Sequence, residues 1–337
     1  MNFLNKLSIL FISFSASAFD DCNLNINGDL NIRYSEGNFN VKENKINDNF
    51  NKTHNNASRV GANLNYKCSE TTIGYTYYSG LNLDSIDIKT AKFISQYFIS
   101  NQQYGKLTVG RSTIAYKAKG KSMDPFYDTA SGTTNAGNNF GFSDISRGFT
   151  DNYYSYTSPK LNNFKFNFGI SDKNGNRDEH FGIDYSLDNE YKSTFGVQFI
   201  HLSKNSAVAN SGPKSKALRF YTSHFSSIIN SNILFSYEYI EDHIFKEKEN
   251  YISISTNHSI NKSTSLKSSL GYIDTNGVKL INGSKLKGEG IGISAGMFHQ
   301  FDNHFQIYGL FTYLGFSQDR KQKSIILGFS YKISGGY

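Results

Sequence analysis

The sequence has few of the features that mark a helical membrane protein, an enzyme or a nucleic-acid-binding protein. After the first eighteen residues, no stretch comes near the roughly 18 consecutive apolar residues of a membrane helix, and the mean hydropathy is −0.48. No run of lysine and arginine indicates a nucleic-acid partner, although the formal net charge is +7. The chain contains no GxSxG and no HExxH motif, and its 8 histidines are scattered singly. We therefore expect no catalytic site, no metal or other cofactor, and no nucleic acid.

The N-terminal residues have the composition of a secretory signal. Lys6 is followed by an apolar run over 7–14 and then by small residues that end at Ala18, the usual arrangement before a cleavage site. The apolar run is too short to cross a bilayer. We predict a signal peptide over residues 1–18 and one domain over 19–337, because β-barrels routinely exceed the ordinary domain size.

What the sequence has in quantity is alternation of apolar and polar residues. Between Leu24 and Tyr34 the even positions are mostly apolar, while the odd positions are asparagine, aspartate or arginine. The pattern recurs along the chain and ends with Ile325, Leu327 and Phe329 in the last such segment. Alternation with a period of two predicts a strand with one apolar face. We count about sixteen such strands, an even number, as in bacterial outer-membrane barrels.

The links between the predicted strands alternate in length. The long links follow odd-numbered strands and the short ones follow even-numbered strands: 35–57, 111–150, 202–215 and 274–289 against 69–70, 100–103, 188–190 and 302–303. A transmembrane barrel produces this asymmetry because its periplasmic turns are tight and its outer loops are not. We predict an all-β fold, a 16-stranded antiparallel transmembrane β-barrel. A secreted soluble β-sandwich has a similar composition, but it gives no reason for the asymmetry.

The segment from Arg111 to Asp151 interrupts the alternation. A structureless link of about forty residues is uncommon, and it is usually functional or disordered. Irregular backbone is tolerated inside a membrane barrel where it lines water, so we predict that this third external loop is folded into the pore. Its aromatic residues Tyr116, Phe126 and Tyr127 either form a track for sugars or hold the loop in place. The alternative is a flexible loop on the surface.

The two cysteines of the chain are Cys22 and Cys68. They fall at the same end of the first two predicted strands and have the same parity. An export compartment is oxidising enough for a bridge. We therefore predict a disulfide that ties the first hairpin.

Several stretches resemble the general Gram-negative porins, and the resemblance runs over most of the chain. They are SRVGANLNY (58–66), YGKLTVGR (104–111), NYYSYTSPKLNNF (152–164), HQFDNHFQIYGLFTY (299–313) and a last strand that ends on aromatic Tyr337. The resemblance implies a homotrimeric diffusion channel in the outer membrane of a Gram-negative bacterium, in contact with lipid and lipopolysaccharide. Small hydrophilic solutes and ions would pass through its pore.

The same resemblance implies a narrow zone where arginines of the barrel wall face acidic residues of the inward loop. Asp29 and Asp151 stand where related porins often carry a basic residue, and Arg33 and Arg147 lie close enough to compensate. The predicted pore constriction consists of Arg33, Arg59, Arg111, Arg147, Asp124 and Asp128.

Opposed arginines and carboxylates across a narrow gap create a transverse field, which disfavours apolar solutes more than small polar ones. Rings of charge also decide which sign of ion passes more easily. The positive side chains with lumen parity, among them Lys165 and Lys267, predict a mild preference for anions. A channel selective for an anion such as phosphate, or for a sugar, is the main alternative function. A barrel enzyme or an adhesin is a more remote one.

Overall fold

The computed structural model describes residues 22–43, 46–55, 58–81, 91–127, 129, 149–173, 175–187, 192–203, 215–242, 248–279, 285–317 and 320–336. The predicted signal peptide lies outside these residues, as do three positions named above: Asp128, Arg147 and Tyr337.

The described residues form one sheet of seventeen strand segments and a short helix, α1, at Ala115–Met123. In the described part of the chain, no helix is long and apolar enough to cross a membrane. The elements in chain order are β1 Cys22–Glu43, β2 Ile46–Asn55, β3 Arg59–Cys68, β4 Thr71–Gly80, β5 Ala91–Asn101, β6 Gly105–Thr113, α1 Ala115–Met123, β7 Phe149–Thr157, β8 Phe164–Lys173, β9 Asn176–Leu187, β10 Ser193–His201, β11 Ser215–Ser226, β12 Ser231–Asp242, β13 Lys248–Ser259, β14 Thr264–Lys279, β15 Lys285–Gln300, β16 Phe305–Phe316 and β17 Arg320–Gly336.

The sheet closes on itself because β1 pairs with β17 as well as with its neighbours in sequence. The first part of β1 pairs with β3 and its second part pairs with β2. β2 and β3 therefore occupy one strand position. The result is a closed barrel of 16 antiparallel strands, which confirms the predicted architecture.

The structure differs from the prediction at two links, 35–57 and 274–289, which are partly strand. The first contains the end of β1 and all of β2, and the second contains the end of β14 and the start of β15. These paired extensions lie beyond the stretch that shows alternation. Their sequence carries no period-two signal, so it does not predict a strand.

The two faces of the barrel wall differ in the way that the alternation predicts. In β17, Ile325 is 65% exposed and Leu327 is 66% exposed, whereas Ile326 between them is buried. Exposed apolar residues recur in this way on the outward face of strand after strand. A continuous apolar surface of this extent requires lipid around it. The inward rows are richer in serine, threonine and charged residues, as a water-filled lumen requires.

At one end of the barrel, Cys22 lies directly opposite Cys68 in the register of β1 and β3. The structure joins the two in a disulfide.

Candidate functional site

The segment from Ile114 to Tyr127 leaves the end of β6 and lies inside the barrel. Its helix contacts β8, β9, β10 and β12, and none of these strands pairs with β6. The side chains that it meets project inward: on β12, Glu238 is fully buried while Phe235 is 41% exposed. Only the lumen gives access to inward rows of several strands at once. We call residues 114–127 and 129 the lumen segment; the rest of the predicted loop, 128 and 130–148, lies outside the described residues.

A buried charged cluster fixes the first turn of the lumen segment. The hydroxyl of Tyr116 donates to Oε1 of Glu238 at 2.5 Å, and the same oxygen forms an ion pair with Nη2 of Arg219 at 3.0 Å. Nη1 of Arg219 donates to the carbonyl of Tyr116 at 2.8 Å, and its guanidinium carbon lies 4.0 Å from the centre of the phenol ring. The three side chains are at most 2% exposed. Burial is the main reason why the pKa of Tyr116 is raised well above its ordinary value, so the hydroxyl keeps its proton.

Gly120 allows the helix to approach this cluster closely. A Cβ at this position would lie 2.9 Å from Nη1 of Arg219, closer than real side chains come. Farther along the same wall, Nζ of Lys119 forms an ion pair with Asp184 at 3.0 Å, and the hydroxyl of Tyr221 also donates to Asp184. The helix is therefore attached to the wall at more than one turn.

The other end of the lumen segment is held by an apolar contact. Phe126 is fully buried and belongs to a cluster with four residues of β15, β16 and β17: Phe298, Tyr308, Leu310 and Ile326. The carboxylate of Asp124 accepts the backbone N–H of Phe126 at 2.9 Å, and Nζ of Lys267 donates to the carbonyl of Pro125 at 3.2 Å. The segment thus spans the lumen from the β11–β12 side to the β15–β17 side.

These contacts decide whether the aromatic residues of the loop form a track for sugars or hold the loop in place. Tyr116 and Phe126 are each 0% exposed, so neither offers a face to a passing solute. Both hold the segment against the wall. Tyr127 is partly exposed, and its ring lies 4.5 Å from Nζ of Lys121.

Three of the predicted constriction residues lie within electrostatic reach of the lumen segment's middle. The pKa of Lys121 is lowered to about 8, first by burial and then by the positive charges of Arg59 and Arg33. Burial, and then the charge of Asp124, raise the pKa of Tyr127 to about 12, while Arg59 and Arg33 oppose the rise. Arg33 and Arg59 of the wall therefore lie near both Lys121 and Tyr127, and Asp124 of the segment lies near Tyr127. Neither the alternation nor the resemblance singled out Lys121.

Arg111 lies elsewhere. Its Nη1 forms an ion pair with Oδ2 of Asp151 at 2.9 Å, on β6 and β7, which are three and four positions away from β3. Directly opposed residues of paired strands project to the same side. Arg111 opposes Ser95, which opposes Tyr77, a residue 36% exposed on the outward face. The structure therefore does not bring Arg111 together with Arg33 and Arg59, contrary to the expectation from the resemblance. The other two predicted residues, Asp128 and Arg147, lie outside the described residues.

Asp29 lies on the same wall as Arg59. Its Oδ2 accepts from the hydroxyl of Tyr78 at 2.5 Å and from Nδ2 of Asn63 at 3.1 Å. The guanidinium carbon of Arg59 lies 5.8 Å from the centre of the Tyr78 ring. The aspartate found where a basic residue was expected is thus held by neighbouring polar side chains.

No protein-family model and no curated protein sequence matches the chain. Solved structures do match it. A loop-deletion mutant of OmpT, an outer membrane protein of Vibrio cholerae, has a TM-score of 0.68 at 14% identity and covers 93% of this chain and 100% of that one. The anion-selective porin from Comamonas acidovorans has a TM-score of 0.65 at 15% identity, with 93% and 99% covered. Salmonella typhi OmpF, in a complex with daunomycin, has a TM-score of 0.62 at 12% identity, with 93% and 98% covered. At such identities the similarity concerns the fold, which is that of the outer-membrane porins; the predicted resemblance is confirmed at this level.

Proposed function

We propose that this protein is a porin of a Gram-negative outer membrane, a water-filled channel for passive diffusion of small hydrophilic solutes and ions. One observation carries the proposal: a closed 16-stranded barrel has an apolar outer face and a lumen that a segment of its own chain crosses. A barrel of this strand number encloses an aqueous passage. We expect it to act as a channel and not as an enzyme.

We also propose that the lumen segment forms one side of the narrowest zone. Arg33 and Arg59 supply the wall, while Asp124 and Lys121 supply the segment. Two arginines are near enough to Lys121 to lower its pKa, so positive charge is concentrated where a permeating ion would pass. Charge of one sign in a narrow zone favours ions of the other sign.

This concentration of positive charge favours an anion-selective channel as the second candidate function. The comparison with the anion-selective porin from Comamonas acidovorans is in keeping with that choice, although the similarity shows only the fold. A sugar channel has less support, because Tyr116 and Phe126 are buried against the wall.

We propose a homotrimer, in contact with phospholipid and lipopolysaccharide, as the assembled form. One of the similar structures is the trimer form of OmpT from Vibrio cholerae. Removal of residues 1–18 during export would precede assembly.

Reconstitution of the mature protein in planar bilayers tests the proposed function. We expect large, ohmic conductance, and in a salt gradient a reversal potential with the sign of anion preference. Arg59→Gln should reduce that preference, whereas Arg177→Gln should not, because the Arg177 side chain is 54% exposed in a pair with Glu179, away from the lumen segment. A membrane that stays sealed would rule out a diffusion channel.

A further inference from the structure

At the short-turn end of the barrel, three histidines repeat one arrangement on alternate pairs of strands. In each case Nδ1 of the histidine lies within hydrogen-bond distance of a hydroxyl on the first residue of the neighbouring strand. The pairs are Ser193–His224 at 2.8 Å, Ser231–His258 at 2.8 Å and Thr264–His299 at 3.0 Å. They lie on β10–β11, β12–β13 and β14–β15. We call them the three histidine–hydroxyl pairs.

All three histidines stand at the end of an outward, lipid-facing row. Each histidine lies two or four positions after an exposed apolar residue of its own strand, so the two side chains project to the same side of the sheet. Phe220 precedes His224 and is 42% exposed, Ile254 precedes His258 and is 45% exposed, and Met297 precedes His299 and is 55% exposed. Each histidine lies one or two residues before the end of its strand, next to a short turn. The pairs therefore lie at the edge of the membrane-spanning wall, on the side of the short turns.

The hydroxyl partner determines how each imidazole can act. A hydroxyl that donates to Nδ1 leaves the ring proton on Nε2, since a neutral imidazole carries only one. In this tautomer each ring is held by its strand neighbour and has Nε2–H as a donor. Three N–H donors at the same level of the barrel, at the short-turn end of β10 to β15, would each meet the same kind of acceptor oxygen in the lipid.

A lysine stands close to the second and third pairs in sequence, because Lys262 lies two residues before Thr264 in the turn between β13 and β14. At the first pair, Lys192 directly precedes Ser193 and follows Asp188 and Glu190. The nearest acid in sequence to His299 is Asp302, whose carboxylate accepts the backbone N–H of His304 at 2.6 Å and that of Phe305 at 2.8 Å. That carboxylate is engaged in its own turn.

We propose that the three histidine–hydroxyl pairs bind the phosphodiester groups of phospholipids in the periplasmic leaflet, up to one lipid at each pair. The short-turn end of such a barrel faces the periplasm, and N–H donors combined with lysine suit a phosphodiester. The proposal depends on the barrel spanning the membrane but not on conduction through it.

Native mass spectrometry of the folded protein in a non-ionic detergent tests the proposal. The probes are dimyristoyl phosphatidylglycerol and dimyristoylglycerol, which has the same chains without the phosphate. The wild type should retain up to three molecules of the first probe and should not retain the second. In the triple variant His224→Phe, His258→Phe, His299→Phe, each lost bond to a charged oxygen should weaken retention at least about tenfold.

His201→Phe is the matched control. His201 continues the outward row of β10 two residues after Phe199 but lies at the opposite end of that strand from Ser193. Its substitution should leave phosphatidylglycerol retention unchanged. If the triple variant does not fold, the three single variants should each lower the number of retained lipids by one.

Three results would overturn the proposal: equal retention by the triple variant and the wild type, equal retention of both probes, or displacement of the lipid by an equimolar amount of inorganic phosphate. The last result would indicate a simple anion site. Conductance recorded on the same samples should be that of the wild type, so a failure here is distinguishable from a failure of the channel function.

Discussion

Glu238→Gln tests whether the buried charged cluster holds the lumen segment in place. The substitution keeps the size of the side chain and removes its charge, which leaves Arg219 without its carboxylate partner in a site that is 2% exposed. Breaking a buried ion pair from one side costs about 3–5 kcal/mol. The β11–β12 register continues on both sides of the pair, so the wall itself should stay folded. We expect the cost to be relieved by release of Tyr116 and entry of water.

At about 1.4 kcal/mol for each factor of ten, Glu238→Gln should raise the detached population of the lumen segment at least about 100-fold. Tyr116→Phe removes one hydrogen bond to a charged acceptor, about 1.5–3 kcal/mol, and should raise it about tenfold or more. The two effects should not add, because both substitutions act on the same contact.

Thiol labelling measures this population. Met123 is 2% exposed and packs with Tyr221 and Leu234, so Met123→Cys places a protected thiol on the helix. It is the only free thiol, since Cys22 and Cys68 are joined. Glu238→Gln in this background should accelerate labelling and increase the single-channel current noise.

Glu179→Gln is the matched control, because its pair with Arg177 has the same 3.0 Å distance but is 54% and 43% exposed. Exposed pairs contribute about 0–1 kcal/mol, so labelling should hardly change. If Glu238→Gln with Met123→Cys gave the same labelling rate and conductance as Met123→Cys alone, the reasoning from buried charge would be refuted.

Three further predictions concern the disulfide and the proposed narrow zone. Cys22→Ser with Cys68→Ser removes a bridge across a sequence separation of 46; we expect a loss of up to about 4 kcal/mol in the free energy of unfolding, measured in urea, and an unchanged midpoint would contradict it. The pKa of Lys121 is about 8, so its positive charge is present below that pH and is lost above it. Anion preference, measured from the reversal potential, should therefore decline between pH 7 and 9 in the wild type. The Lys121→Met variant should not show this decline. Asp124→Asn keeps an acceptor for the N–H of Phe126 and should raise anion over cation permeability; an unchanged reversal potential would count against Asp124 at the narrow zone.

The barrel could be predicted from the sequence because its main determinant is local. Whether a side chain faces lipid or water is decided at each residue, so the alternation from Ile325 to Tyr331 is visible without knowledge of any partner. The closing contact between β1 and β17 follows from the same pattern, since an unpaired edge is not tolerated in lipid. Alternation is uninformative where the sequence of a strand carries no regular apolar row, as in β2.

The contacts of the lumen segment could not be predicted in this way, because they join distant parts of the chain. Residues 218–225 show no clear parity in sequence, and the structure explains why: Tyr221 projects inward to pack against Met123, so apolar residues occur on both faces. Helix α1 contains Gly120 and three lysines, and it is held by Arg219 and Glu238 more than by its own propensity.

The residues of the narrow zone stay a prediction, and the structure shows only which of them lie near one another. Arg33, Arg59 and Asp124 lie within electrostatic reach of Lys121 and Tyr127, whereas Arg111 does not join them. Arg111 has the odd parity of Leu107, which is 46% exposed. The family resemblance indicated a position on the lumen wall, and the alternation within β6 indicated the opposite face. The pairing of Arg111 with Ser95 of β5 agrees with the alternation, while on the β7 side the register shifts between Gly110 and Ser112.

The contact between β1 and β17 also restricts the order of events during biogenesis. The register that joins Leu30 to Ile333 requires the last strand to be present before the first can be completed. A chain that is still being exported would therefore form a sheet that is not yet closed, in which the disulfide already joins the first strands. Insertion would become irreversible only when the two ends of the polypeptide meet, and a chain cut short before β17 would expose donors and acceptors that the bilayer cannot satisfy.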